Sequence, residues 1–144
     1  MSDIKEILLK HKTIAMIGVS KDPTKPSTIV MKYMQKYGYK VIPVNPGARG
    51  EKILGEEVFE KIKDIKEPIE IVDVFRPSKE VYGIAEDAVK IGAKVLWLQL
   101  GICDEAAKEL VEKNNIQYVE NKCTKMEYQK HFLKIRQAFP VLSN

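Results

Sequence analysis

Arginine is scarce in this sequence. Of its 24 basic residues only Arg49, Arg76 and Arg136 are arginines, so each has to be accounted for; the other 21 are lysines. Interspersed with 20 acidic residues, the lysines form a solvated surface with a net charge of only +4. No basic stripe with interleaved aromatics follows from their spacing, which argues against a nucleic-acid partner despite a pI near 8.9. Lys/Glu enrichment of this kind fits a thermophilic source. Cysteine and histidine are scarcer still. Cys103 and Cys123 make neither a disulfide framework nor a four-ligand metal site, and His11 and His131 stand near opposite ends of the chain, so no metal is expected. No apolar run approaches the ~18–20 residues of a membrane helix. The longest begins at Val95 and is broken by Gln99. The first residues, Met1-Ser2-Asp3-Ile4-Lys5-Glu6, carry acids and no secretory pattern, so a cytoplasmic location without membrane contact is expected.

What is there is ordinary globular material. Hydrophobic residues make up 44% and charged residues 31%, which excludes collagen-like, mucin-like and wholly disordered chains. At 144 residues the chain suffices for one domain, 1–144.

Short β-branched runs alternate with amphipathic stretches. Strands are predicted at 13–18, 40–44, 70–75, 94–98 and 116–119, with a short extra strand or turn at 52–55. The five main runs are continuously apolar, as in strands covered on both faces of a parallel sheet. Between them lie helices. Val30, Tyr33, Met34 and Tyr37 share a face, with Gly38 as the stop. Ser78 is placed to cap a helix through Val81, Ile84, Ala85 and Ala88 to Gly92, and Asp104 to cap the next. Thr124 and Glu127 form a capping-box pair for a last helix reaching Ile135 and ending near Pro140, and a short helix runs from Asp3 to Lys10. The class that follows is α/β: a doubly wound parallel sheet, Rossmann-like, with five main strands and helices on both faces. The first loop favours the Rossmann-type strand order over the flavodoxin-like one.

In such folds ligands bind at the carboxyl ends of the strands, so the loops after the strands carry the candidates. The first, Gly18-Val19-Ser20 through Lys25-Pro26-Ser27, leads into a helix start suited to phosphate, or is a solvated turn. It lacks the G-x-G-x-x-G spacing and any Walker A pattern, which excludes the usual ATPase reading. After the second strand, Asn45 and Pro46 stand where an NAD enzyme would place an acid for the ribose diol. Arg49 follows, suited to a ribose phosphate such as that of NADP or coenzyme A, or simply a surface residue. Phe75-Arg76-Pro77 would pack on a base and meet a pyrophosphate; the bland alternative has Phe75 in the core and Arg76 paired with an acid. Gln99 is a polar residue leaving an apolar strand at the ligand edge, with Leu100 and then Gly101, which allows close backbone approach.

Together these loops resemble the CoA-binding domain family, small Rossmann-like proteins similar to the N-terminal domain of the succinyl-CoA synthetase α subunit. The resemblance is carried by Gly18-Val19-Ser20, Lys25-Pro26, Gly38-Tyr39, Val41 to Pro46, Leu54-Gly55, Val72 to Arg76, Gly92 to Lys94, Trp97 to Gly101 and Cys123, over about residues 10–132. It implies a coenzyme A pocket. The first loop and Lys25 would meet the pyrophosphate, Asn45 to Arg49 and Phe75 to Pro77 would flank the adenosine and its phosphate, and Gln99 to Gly101 would line the pantetheine path. Cys103 departs from the basic or polar residue often found at its position. The synthetases react through a phosphorylated histidine on a further domain, and neither His11 nor His131 falls at a strand's carboxyl end. The reading is therefore a carrier, sensor or redox-linked protein that binds coenzyme A or an acyl-CoA, without catalytic residues. The alternative is a small NADP-dependent reductase. Cys123, beside Lys122 and Lys125 at a helix start, is expected to have a lowered thiol pKa and to face the ligand thiol, or else to be a space-filling core residue.

Overall fold

The computed structural model describes residues 3–134. In chain order the elements are α1 (Ile4–Lys10), β1 (Thr13–Ile17), α2 (Pro26–Lys36), β2 (Lys40–Val44), the two-residue strands β3 (Lys52–Ile53) and β4 (Glu56–Glu57), β5 (Ile71–Val74), α3 (Val81–Ile91), β6 (Val95–Leu98), α4 (Glu105–Glu112), β7 (Gln117–Val119) and α5 (Thr124–Tyr128). The main sheet runs β2-β1-β5-β6-β7, every pair parallel. Its two faces bury separate cores. Ile14, Met16, Ile71, Val95 and Trp97 pack with α1, α2 and the segment around Cys123, while Ala15, Ile17, Val72, Val74, Leu96 and Leu98 pack with α3 and α4. Covering on both sides is why the strands read as unbroken apolar runs.

The five strands taken alone give the order 2-1-3-4-5, which is flavodoxin-like. A sixth, vestigial strand changes that reading. Phe59 forms a parallel bridge with Val44 on the outer edge of β2, its N–H donating to Pro43 C=O at 3.0 Å and its C=O accepting from Asn45 N–H at 2.9 Å. Counting it, the order becomes the Rossmann 3-2-1-4-5-6 with its third strand cut to a single residue. Pro43 offers a physical reason: its carbonyl faces that edge, so its missing N–H falls on the same side and a full ladder cannot form there.

Most caps follow the sequence. Asp3 accepts from Glu6 N–H at 3.2 Å and Asp104 from Ala107 N–H at 2.8 Å; Gly38 and Gly92 take positive φ at helix ends. Two expectations are corrected. Ser78 opens a 3-10 turn, Ser78–Glu80, ahead of α3, and its Oγ accepts from Cys103 N–H instead of capping the helix. Thr124 is the first residue of α5, not its cap; Cys123 occupies the cap position, and the Thr124 hydroxyl turns inward to Asp73. The last helix continues as a π-helical turn, Gln129–Leu133; the parts expected at Ile135 and Pro140 lie outside the described residues, as does Arg136. Among the described residues no helix is long and apolar enough to cross a membrane, and no group of three or more His, Cys, Asp or Glu could hold a metal.

Candidate functional site

Five polar side chains are buried among the described residues: Ser27, Thr28, Asp73, Gln99 and Thr124. All five sit toward the carboxyl edge of the sheet or in the helix starts facing it. An apolar edge would be easier to bury, so this concentration marks where the fold departs from simple packing.

The first loop is tightly built. Gly18 donates its N–H to Val44 C=O at 2.8 Å and adopts φ +94°. A Cβ there would stand 2.9 Å from both Phe75 O and Arg76 Cδ, so the loop and the segment after β5 touch only because residue 18 has no side chain. Ser20 is held through its N–H to Ser27 Oγ at 3.1 Å and its C=O to Thr28 Oγ1 at 2.6 Å. These bonds pin the loop to the start of α2. Pro26 brings no N–H, and the first N–H to find an acceptor in this turn is that of Ile29, onto Lys25 C=O at 3.0 Å. The Ser27 and Thr28 amides are left at a helix start, where anions are favoured. Asn45 joins the second loop to the first, donating from Nδ2 to Val19 C=O at 2.8 Å and accepting Gly47 N–H on Oδ1 at 2.9 Å.

Next to this loop lies an open pocket of about 520 Å³, lined by apolar Ile17, Val44, Ile62 and Ile84 and by polar Ser20, Asn45, Lys61, Lys63, Arg76 and Glu80, among others. Of the residues singled out in the sequence, the pocket brings together Gly18, Ser20, Asn45, Pro46 and Arg76. Val19 is buried, Lys25 is solvent-exposed at the N-terminal start of α2, and Phe75 packs partly into the core. Pro77, exposed Leu100, Gly101 (N–H to Asn121 Oδ1, 2.7 Å) and buried Gln99 lie further along the edge. Arg49 points elsewhere: it pairs with Glu60 at 3.2 Å, is largely exposed, and lines a different cleft with Val58 and Phe59. The pocket's other cations are Lys61 and Lys63, which sequence reasoning missed. They flank buried Ile62 just after the one-residue strand at Phe59, and a strand that short leaves no periodicity to read.

Arg76 is already engaged. Its Nε and Nη2 donate to the two Glu80 carboxylate oxygens at 3.0 and 2.8 Å. This bidentate pairing raises the guanidinium's pKa further and holds the Glu80 carboxyl below its usual range. The fork that fits a carboxylate also fits a phosphate, so Glu80 occupies the position an anionic ligand would take.

Cys123 corrects an expectation. Its thiol is pushed up, not down: burial raises it, with a further contribution from Asp73, against the lowering effect of the Met126 and Lys125 amides and the Lys125 charge. Desolvation disfavours the thiolate more than a five-residue helix start favours it. Cys103 is the exposed cysteine.

The likenesses to other proteins run through this same edge. The chain is 37% identical over 127 residues to the Bacillus subtilis protein YneT, covering 88% of this chain and 93% of that one. A Thermus thermophilus structure, cell-free ID.343, superposes with a TM-score of 0.86 at 34% identity, over 91% of this chain and all of its own. The α subunit of a Pyrococcus furiosus ADP-forming acetate–CoA ligase is 30% identical over 95 residues, 63% of this chain but only 21% of the subunit. The CoA binding domain matches residues 12–129, from the start of β1 to the end of α5, taking in every loop that builds the pocket; the chain belongs to the CoA-binding domain family.

Proposed function

We propose that this protein binds coenzyme A or an acyl-CoA, with the adenosine end in the pocket over β1 and β2 and the phosphates between the α2 start, Arg76 and the two lysines. The observation that carries this reading is the make-up of that pocket: an apolar slot with the cations Lys61, Lys63 and Arg76 set among the acids Glu60, Glu80 and Asp87, and with Ser20 in its wall bonded to the start of α2. A purine needs the slot and a polyanion needs the cations and the helix start, and the volume falls in the range of roughly 300–1,000 Å³ usual for such ligands. A carrier or sensor role fits better than a redox-linked one, because burial holds the Cys123 thiol protonated. No residue is assigned to catalysis.

Calorimetry with CoA, dephospho-CoA, NADP, NAD and ATP tests the reading. CoA should bind at micromolar Kd or better, and about 100 times Kd should stabilise the fold by roughly 2.7 kcal/mol. Tight NADP binding without a CoA signal would favour the reductase and sink the proposal.

The placement of the cations sharpens two further expectations. Arg76→Ala should weaken CoA by about tenfold or more, as expected for one lost charge-assisted contact, whereas Glu80→Gln should strengthen it by releasing the fork. Unchanged affinity in both variants would remove Arg76 from the site. If the pocket lysines meet the ribose phosphate, Lys61→Ala with Lys63→Ala should bring CoA affinity down to that of dephospho-CoA, and Arg49→Ala should not. The opposite pattern in titrations of the three ligand–variant pairs would return that contact to Arg49.

A further inference from the structure

We infer that Gln99 reads the pantetheine arm of the ligand by presenting its side-chain carbonyl to one of the arm's amide N–H groups, and that Asp73 and Thr124 lock it in that orientation. The inference rests on the coenzyme A reading above and goes on to assign a residue and a chemical group to the distal half of the site.

Gln99 Nε2 donates one N–H to Asp73 Oδ1 at 2.6 Å and the other to Thr124 Oγ1 at 3.1 Å, and Thr124 Oγ1 donates in turn to Asp73 Oδ2 at 3.2 Å. Asp73 is fully buried. An ionised carboxylate only accepts, so it demands the amide's NH2 end. The orientation of Gln99 is therefore dictated by charge. Both N–H groups are spent inward, and Oε1 is left with no hydrogen bond among the described residues. Tyr33 Oη is the one unpartnered side-chain N or O atom sealed from solvent among them, so the Gln99 oxygen, in a residue only 4% exposed, keeps an opening to solvent at the sheet edge just before exposed Leu100. A donor from the backbone, Gln99 N–H to Val74 C=O at 3.2 Å, fixes the residue's own position.

Its place in the sheet selects the part of the ligand. Gln99 follows β6, two strands from β1, and at about 4.8 Å per strand this is roughly 10 Å from the Gly18 loop. A ligand whose adenosine lies over β1 and β2 reaches Gln99 only with the arm beyond its pyrophosphate. That arm carries two secondary amides, and each has an N–H in need of an acceptor.

The lock also has a second state. Burial pushes the Asp73 carboxyl up to about 7, with the Gln99 and Thr124 hydrogen bonds pulling the other way. Once protonated, Asp73 becomes a donor, and the open acceptor beside it is Gln99 Oε1. The amide then turns its NH2 outward and meets a ligand N–H donor to donor. Asp73 is flanked in the sheet by apolar Met16 and Trp97. From the start of α5 the titratable group whose field reaches it is Cys123, a thiol that burial keeps neutral across this range, while Lys125 on α5 is turned over the Tyr33 ring at 5.3 Å.

The test is calorimetry of CoA and of adenosine 3′,5′-bisphosphate, which lacks the arm, between pH 6 and pH 8. The 3′-phosphate titrates in both ligands, but the bisphosphate's 5′-monoester titrates in this range as well and CoA's pyrophosphate diester does not, so the ratio of CoA to bisphosphate affinity is compared between proteins. Asp73→Asn, which keeps hydrogen bonds to Gln99 and Thr124 but does not titrate, reports the ligands' own pH dependence. In the unmodified protein the ratio should fall about tenfold further than that from pH 8 to pH 6, the size of one hydrogen bond exchanged for a mismatch. Gln99→Met should weaken CoA about tenfold at pH 8 and leave the bisphosphate unchanged. A pH-dependent ratio identical in Asp73→Asn, or a Gln99→Met protein that binds CoA as the parent does, would overturn the inference while leaving coenzyme A binding intact. If the parent binds neither ligand, the coenzyme A reading fails, and this inference with it.

Discussion

Urea denaturation of Asp73→Asn between about pH 5 and pH 8 should give a nearly constant unfolding free energy, while the parent chain loses stability steadily over the same span. In the folded protein burial raises the Asp73 carboxyl from 3.8 to about 7, and the Gln99 and Thr124 hydrogen bonds offset this only in part. The unfolded chain therefore releases this proton at lower pH than the folded one. Below 3.8 both states are protonated and the contribution to stability is whole; it is lost as the pH rises through about 7. The whole shift from 3.8 to about 7 corresponds to about 4 kcal/mol, of which about 3 kcal/mol falls between pH 5 and pH 8; both are upper figures because a buried site relaxes when it ionises. Glu70 acts in the other direction and outside this window. Burial raises it, but hydrogen bonds from His11 and from the Lys12 and Thr13 amides outweigh that and leave it lowered, so its contribution is lost only on the acid side. Parallel pH profiles for parent and variant would show that Asp73 ionises as it does in an unfolded chain.

Gly18→Ala should be among the most damaging small substitutions in the protein. Backbone at φ +94° is strained for any L side chain, and here the added Cβ also meets a carbonyl oxygen, Phe75 O, at 2.9 Å. Strain of this kind costs roughly 1–3 kcal/mol by itself. With the backbone clash we expect a loss of about 3 kcal/mol or more, which for a domain of this size lowers Tm by on the order of 10 °C. The damage should extend to the ligand, since relieving the contact moves Arg76 and the first loop apart. Gly38→Ala is the control. Gly38 has the same φ of +94°, but a Cβ there would meet nothing within 4 Å, so it should cost only about 1 kcal/mol and leave binding unchanged. Equal losses in thermal melts of the two variants would mean that strain alone matters and that the Gly18–Phe75 contact is slack.

How legible each part was depends on how many residues carried its signal. The five strands were readable because burial on both faces imposes an apolar run on each, and their ends shifted by only a residue in the structure. The start of α2 near Pro26 and the Asp104 cap were readable because a proline in a first turn and a cap bonded to a residue three on are local signals, whereas Asp3, read as the first residue of the leading helix, proved to be its cap. The strand at Phe59 was not. A single bridged residue has no pattern, and with it went Lys61 and Lys63, while Arg49, prominent in the sequence for its rarity, turned to Glu60. Cys123 shows the same limit for electrostatics: neighbouring lysines and a helix start are visible in the chain, but the burial that outweighs them is not.

The sequence by itself determined the α/β class, the succession of elements, the loops on which a ligand would be sought and the resemblance to a CoA-binding domain, because these rest on periodicity, local capping and short motifs. Only the tertiary structure decided which side chains meet. Gln99 and Asp73 lie 26 residues apart, and Thr124 is 51 from Asp73. Nothing in local propensity couples them, and an aspartate within an apolar strand reads as an exception until the sheet and α5 close over it. Removal from water then gives the carboxylate its demand for donors, and that demand orients the glutamine at the edge of the site.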